Sequence, residues 1–316
     1  MVKTYQKTKL QEVTIKGYKS IAFNRPVTLK LNDVSILLGA NGAGKSNIIS
    51  FFRMLSYMMS KSFGKYVEMS GTSNALLHYG TKKTPVMSGE IKFSDSKSID
   101  TYSFSLSNAT PDRLIITEER IVWHRKGEAK PYEVTLEPVF KESALAESDN
   151  PVAKTIFQML SYCKVYQFHD SSVEGPLRQV CPVETTNYLQ SHGNNLPSFL
   201  LFLRDNYINS YNRIVDYVSD VVPQFQDFYL EPNNRFISLR WMDNSATDYR
   251  FNAYQFSDGS IRFIALATLL LQPPQTMPNV IILDEPELGL HPYAITQLAE
   301  MIKDASIHAQ IIIATQ

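Results

Sequence analysis

Residues Gly39-Ala40-Asn41-Gly42-Ala43-Gly44-Lys45-Ser46 fill every position of the pattern G-x-x-x-x-G-K-[ST], a spacing suited to cradling phosphate. The glycines allow a tight turn that brings backbone N–H groups against phosphate oxygens. Lys45 offers a point charge to the β- and γ-phosphates, and the Ser46 hydroxyl is a hard oxygen ligand for Mg²⁺. Asn47 closes the candidate nucleotide-binding set of residues 39 to 47. Far along the chain, Val280-Ile-Ile-Leu283 runs into the adjacent acids Asp284 and Glu285. Asp284 is the expected Mg²⁺ ligand, and Glu285 the group that orients or deprotonates an attacking water. Glu285 and Lys45 are therefore the candidate catalytic pair. Each stretch has a plainer reading, as a Gly-rich turn or a solvated loop start. Their joint occurrence favours triphosphate hydrolysis.

Elements of the right kind flank both stretches. Val34 to Leu38 is an apolar run expected to be a buried strand, and the residues after Ser46 have helical spacing. Val280 to Leu283 reads as a parallel strand covered on both faces. Its acids then fall at the carboxyl end, where open α/β sheets bind ligands. Phe256-Ser257-Asp258-Gly259-Ser260 precedes a nearly all-apolar helix, Ile261 to Leu271, whose only charge is Arg262. Ser257 or Asp258 is expected to cap that helix.

The order GANGAGKSN, FSDGS-x-R, LDEPELGLHP, IIIATQ resembles the RecF-like branch of the ABC-type ATPases, the AAA family ATPases related to RecF, SMC and OLD proteins. Gly17-Tyr18-Lys19-Ser20 and Tyr166-Gln167-Phe168-His169-Asp170 extend the resemblance over most of the chain. It implies an α/β P-loop NTPase fold of the ABC/RecF type: a mixed sheet with an antiparallel β lobe and an inserted helical lobe. It also implies ATP and Mg²⁺ as cofactors and a homodimer in the ATP state. Ser257, Asp258, Gly259 and Ser260 would be the signature that reaches the partner subunit's nucleotide, and His291 would lie in a loop contacting the opposite site. Gln316 stands where many relatives carry a switch histidine; it can hydrogen-bond a phosphate but cannot act as a protonated switch. Gln167 is a candidate metal-sensing glutamine expected within a strand, with His169-Asp170 as the competing match. A partner nuclease or other effector, and contact with a DNA backbone, belong to the same implied set. DNA repair or recombination and anti-phage defence both fit. The alternative is a hydrolysis-deficient nucleotide-binding subunit that regulates a partner.

Composition narrows the field. Lys plus Arg and Asp plus Glu each number 31, so the chain is not a generally basic nucleic-acid binder. One local patch stands out, Lys3, Lys7, Lys9, Lys16 and Lys19 against Glu12. The two cysteines, Cys163 and Cys181, form no C-x-x-C and are expected to be reduced. No apolar run is long enough to span a membrane and the N-terminus is polar, so a cytoplasmic protein is expected. The single ATPase head covers 1–316. Its core is 1–60 and 248–316, its antiparallel part 86–140, and its helical lobe with connecting strands 170–247. Residues 61 to 84, rich in Ser, Gly, Lys and Thr, are expected to form a flexible surface excursion. About 240 residues separate Lys45 from Asp284 and carry no heptads, which leaves no room for coiled-coil arms. Gln310 to Gln316 reads as a central core strand, so the sequence is expected to be C-terminally incomplete.

Overall fold

A computed structural model describes residues 8–137, 141–184 and 188–316. The chain divides into two compact units, Met1–Lys164 and Val165–Gln316. No helix among the described residues is long and apolar enough to cross a membrane.

In the first unit, β1 (Lys9–Lys16), β2 (Val27–Lys30) and β3 (Val34–Leu38) lead to helix α1 (Lys45–Met59). Short helices α2 (Phe63–Met69) and α3 (Thr72–Leu76) follow, then β4 (Val86–Ser94), β5 (Ser98–Ala109), β6 (Arg113–Arg125) and β7 (Tyr132–Leu136). Helix α4 (Pro151–Ser161) precedes β8 (Cys163–Tyr166), within which the chain passes to the second unit. Six strands pair antiparallel in the order β2-β1-β4-β5-β6-β7. Strict alternation along β4 and β5 puts Met87, Ile91, Phe93, Tyr102, Phe104 and Leu106 on the buried face. Phe51 of α1 stacks on Phe104 with centroids 6.1 Å apart, and Gly89 leaves the space for this contact. Buried Glu119 accepts from Tyr102 Oη, Ser143 Oγ and the Ala144 amide, so each carboxylate oxygen has a donor.

Two expectations for this unit need correction. Residues 61 to 84 are not a surface excursion, because α2 and α3 bury Phe63, Tyr66, Val67 and Leu76. Glu142, distant in sequence, accepts from the Phe63 amide at 3.0 Å and so caps α2. Strand β3 is not fully buried, with Ile36 60% and Leu38 74% exposed. In the basic stretch, Lys3 and Lys7 lie outside the described residues, while Lys9 pairs with Asp33 at 2.6 Å.

The second unit starts with a two-stranded pairing of β9 (Cys181–Pro182), followed by helices α5 (Leu196–Asn206) and α6 (Ile208–Val221). Strands β10 (Phe225–Tyr229), β11 (Phe236–Ile237, the partner of β9), β12 (Arg240–Asp243) and β13 (Ala246–Asn252) come next. Helix α7 (Asp258–Leu270), β14 (Val280–Asp284), α8 (Pro292–Ala305) and β15 (Gln310–Thr315) complete it. The helical segment predicted from Leu196 onward is broken at Tyr207, whose extended φ of −141° separates α5 from α6. Tyr211, Ile214 and Val218 form the buried stripe of α6. Trp241 stacks on Phe251 and Phe256 to seal the β10-β12-β13 sheet. Strands β14 and β15 pair in parallel from Val280↔Gln310 to Asp284↔Ala314, and both are almost wholly buried, as continuous apolar runs require. Cys163 and Cys181 are free, and burial pushes the Cys163 thiol up to about 12.

Candidate functional site

In the first unit, the phosphate-type loop connects β3 to α1. Gly42 has φ +83° and Gly44 φ +97°, left-handed values that a side chain would oppose. Helix α1 starts directly from Gly44, with no side-chain cap and no acid in its first turn. The first amides of any α-helix have no intrahelical acceptor, so this one leads with an uncompensated positive end. Lys45 is only 9% exposed, and its ammonium folds back to donate to the Gly39 and Ala40 carbonyls, the latter at 3.3 Å. Ser46 is exposed. Asn47 Nδ2 donates to Ser20 Oγ at 2.7 Å, so the Gly17-Tyr18-Lys19-Ser20 segment buttresses the loop. Beneath it, the hydroxyls of Tyr18, Ser50 and Tyr66 form a hydrogen-bonded cluster. The backbone curl, helix end and buried lysine together fit a polyphosphate.

In the second unit, Asp284 ends β14, and the Glu285 amide extends the ladder to Ala314 O at 2.8 Å. Glu285 then turns with φ +43°, a strained value for a residue with a Cβ and one that clusters at functional positions. Gln167 lies just beyond β8 rather than inside a strand. Its Nε2 donates to Asp284 Oδ2 at 3.2 Å and contacts His169 Nδ1 at 3.1 Å. His169 Nε2 lies 2.8 Å from the Asp284 carbonyl. Gln167 and His169, the two competing candidates, therefore both face Asp284. Asp284 itself offers a carboxylate, the oxygen donor that suits a hard divalent cation such as Mg²⁺. Gln316 Nε2 approaches Glu285 Oε1 at 3.3 Å, and Thr315 Oγ1 donates to Glu287.

The signature-like turn is also ordered from within this unit. Ser257 is the cap of α7, its Oγ accepting from the Ser260 amide at 3.1 Å. Asp258 is bound by Arg178 Nη2 at 2.9 Å, and this bond holds its carboxyl below the usual range. Arg178 is 6% exposed and also donates to the carbonyls of Ser171, Ala253 and Phe256. Gly259 packs so closely on Gly289 O that a Cβ would collide with it. His291 is exposed and caps α8 through Nδ1, with Pro292 at the first helical position. The sequence carried no signal for Arg178, and marked Ser20 only as part of the Gly17-Tyr18-Lys19-Ser20 segment. A lone arginine within the apolar α7 was the available signal for Arg262, whose guanidinium reaches two loops of this unit.

Residues 168–316 match the family described as "AAA domain, putative AbiEii toxin, Type IV TA system". A search of curated protein sequences finds no match. Among solved structures, an SMC head bound to the C-terminal winged-helix domain of ScpA aligns with TM-score 0.55 at 15% identity, over 97% of this chain and 89% of that one. An Smc head with an extended coiled coil, bound to the C-terminal domain of ScpA and derived from Pyrococcus furiosus, aligns with TM-score 0.53 at 14% identity, over 98% and 89%. At such identities the likeness concerns fold alone. The mixed α/β architecture agrees with the sequence reading: this chain has the ABC-type P-loop head fold, and its residues 168–316 are similar to the matched AAA family.

Proposed function

We propose that this protein is a Mg²⁺-dependent ATP hydrolase whose nucleotide state drives head-to-tail homodimerisation. The observation that carries the reading is the loop 39–46, with its left-handed glycines, uncapped α1 and inward-folded Lys45. Residues 39 to 47 would hold the phosphates, Lys45 by charge and the loop by backbone amides. Ser46 and Asp284 would hold Mg²⁺, with Gln167 at its edge; the metal would supply charge neutralisation to the transferring phosphoryl group. Glu285 would orient and deprotonate the water, and Gln316, 3.3 Å from it, would keep its carboxylate aimed. Ser257, Asp258, Gly259, Ser260 and His291 would meet the second subunit's nucleotide.

The output we assign is DNA repair or recombination, or anti-phage defence beside a partner nuclease or other effector, in the cytoplasm. The toxin–antitoxin wording of the matched family is compatible with defence. Any DNA contact would be to the backbone and would weaken steeply with salt. One observation favours a second reading, a nucleotide-binding subunit with little turnover: glutamine, which cannot carry a proton, occupies position 316 against Glu285.

The test uses two variants. Lys45→Ala is expected to lose nucleotide binding. Glu285→Gln is expected to bind ATP, stop turning over and accumulate as a dimer by light scattering. EDTA should abolish phosphate release by the wild-type protein. A Glu285→Gln protein that stays monomeric at saturating ATP would refute the switch, and wild-type binding without phosphate release would favour the second reading.

A further inference from the structure

Helix α7 is almost entirely apolar and buried, and beyond its first residue Arg262 is its only charge. Desolvating a guanidinium beside such a helix costs free energy unless fixed acceptors receive it. Two backbone carbonyls receive its terminal nitrogens, while the buried Nε has no partner among the described residues. Arg262 Nη2 donates to His169 O at 2.6 Å, and Nη1 donates to Leu288 O at 3.0 Å. Gly289, at φ +74°, is bare where the guanidinium passes; a Cβ there would lie 2.7 Å from Nη1. The backbone therefore makes room for this side chain specifically.

The two acceptors belong to the two segments that frame Asp284. The first carries Gln167 and His169, which contact the Asp284 carboxylate and carbonyl. The second is the loop after Glu285, where the backbone takes its left-handed turn. Arg262, His169, Asp284 and Glu285 also line one narrow crevice. A planar fork that bonds two carbonyls at once fixes the distance between them more rigidly than the rotatable ammonium of a lysine.

We propose that Arg262 is a positioning residue for the metal-and-water side of the site. It ties the 167–169 segment to the 285–290 loop, so that Gln167 stays on Asp284 and Glu285 keeps its turn. This rests on the ATPase reading, but its first readout does not. In the free protein, Arg262→Met should raise amide hydrogen exchange at 167–170 and 286–290 by at least about tenfold, with α8 and β15 unchanged. In the ATPase assay, Arg262→Met should raise the Mg²⁺ concentration for half-maximal rate by about tenfold and lower kcat by about a hundredfold. The affinity for ATP measured without Mg²⁺ should stay within about twofold, and Arg262→Lys should recover part of the loss.

Unchanged exchange in both segments would overturn the tether. So would faster exchange throughout the unit, which would indicate general loosening. Altered exchange with an unaltered Mg²⁺ requirement would overturn the positioning role. A wild-type protein that binds no ATP would overturn the ATPase reading itself, an outcome visible before any variant is compared.

Discussion

Glu285 offers a sharp test because its backbone and its carboxylate make separable demands. At φ +43°, a residue with a Cβ pays roughly 1–2 kcal/mol relative to glycine. Glycine carries its own cost of roughly 0.4–1 kcal/mol through the greater freedom of the unfolded chain. Taking about 1.5 and about 0.7 kcal/mol from these ranges, Glu285→Gly should be more stable than Glu285→Ala by roughly 0.8 kcal/mol. At an ordinary negative φ the order reverses, with alanine ahead by about 0.7 kcal/mol. Both variants lose the carboxylate and its contact with Gln316, so those losses cancel in the comparison. The assay is equilibrium urea unfolding of both proteins side by side, with ATP turnover as control. Neither variant should hydrolyse ATP. An alanine variant equal to or more stable than the glycine variant would refute the claim that strain is stored at this residue.

Asp100 is nearly buried, and desolvation, assisted by Asp95, pushes its carboxyl up to about 6. A raised folded value means that the protonated form stabilises the fold at low pH; that support is lost as pH rises from about 4 through about 6. Asp100→Asn should therefore raise the urea midpoint at pH 8, by up to about 3 kcal/mol in stability, and change it little at pH 4. Gly89→Ala would bring a Cβ within 2.5 Å of Phe104 Cζ and 2.8 Å of Phe51 Cζ, costing roughly 1–3 kcal/mol by overpacking between sheet and α1; calorimetry should record a lower Tm. Arg178→Met would remove the side-chain donor to the Ser171, Ala253 and Phe256 carbonyls and to Asp258; Ala253 O keeps the Phe256 amide, and the expected loss is about 2 kcal/mol or more by chemical denaturation.

The parts of the fold that were legible in the sequence are those with one dominant signal. Residues 39 to 46 announce themselves by glycine and lysine spacing, β14 and β15 by apolar runs, and α7 by a nearly all-apolar stretch. The alternation in β4 and β5 likewise reveals an antiparallel sheet. Residues 61 to 84 misled because Ser, Gly and Lys outnumber the few apolar residues, yet Phe63, Tyr66, Val67 and Leu76 suffice to seat two short helices. Strand β3 has the composition of a core strand while Ile36 and Leu38 are open to solvent, and apolar content alone does not reveal which side is covered. Arg178 was invisible for a different reason. Its acceptors at 171, 253, 256 and 258 come from distant stretches, and a short turn such as 176–178 has no periodicity that marks one arginine as buried.

The inward fold of Lys45 has a consequence for affinity. Because the ammonium already rests on Gly39 O and Ala40 O, an arriving anion trades with the loop instead of filling an empty place. On the proposed nucleotide-binding reading those bonds are given up on capture, so the net gain is smaller than the new contacts alone suggest. A chain of three phosphates, bonded by several amides together, would offset that loss better than a single one.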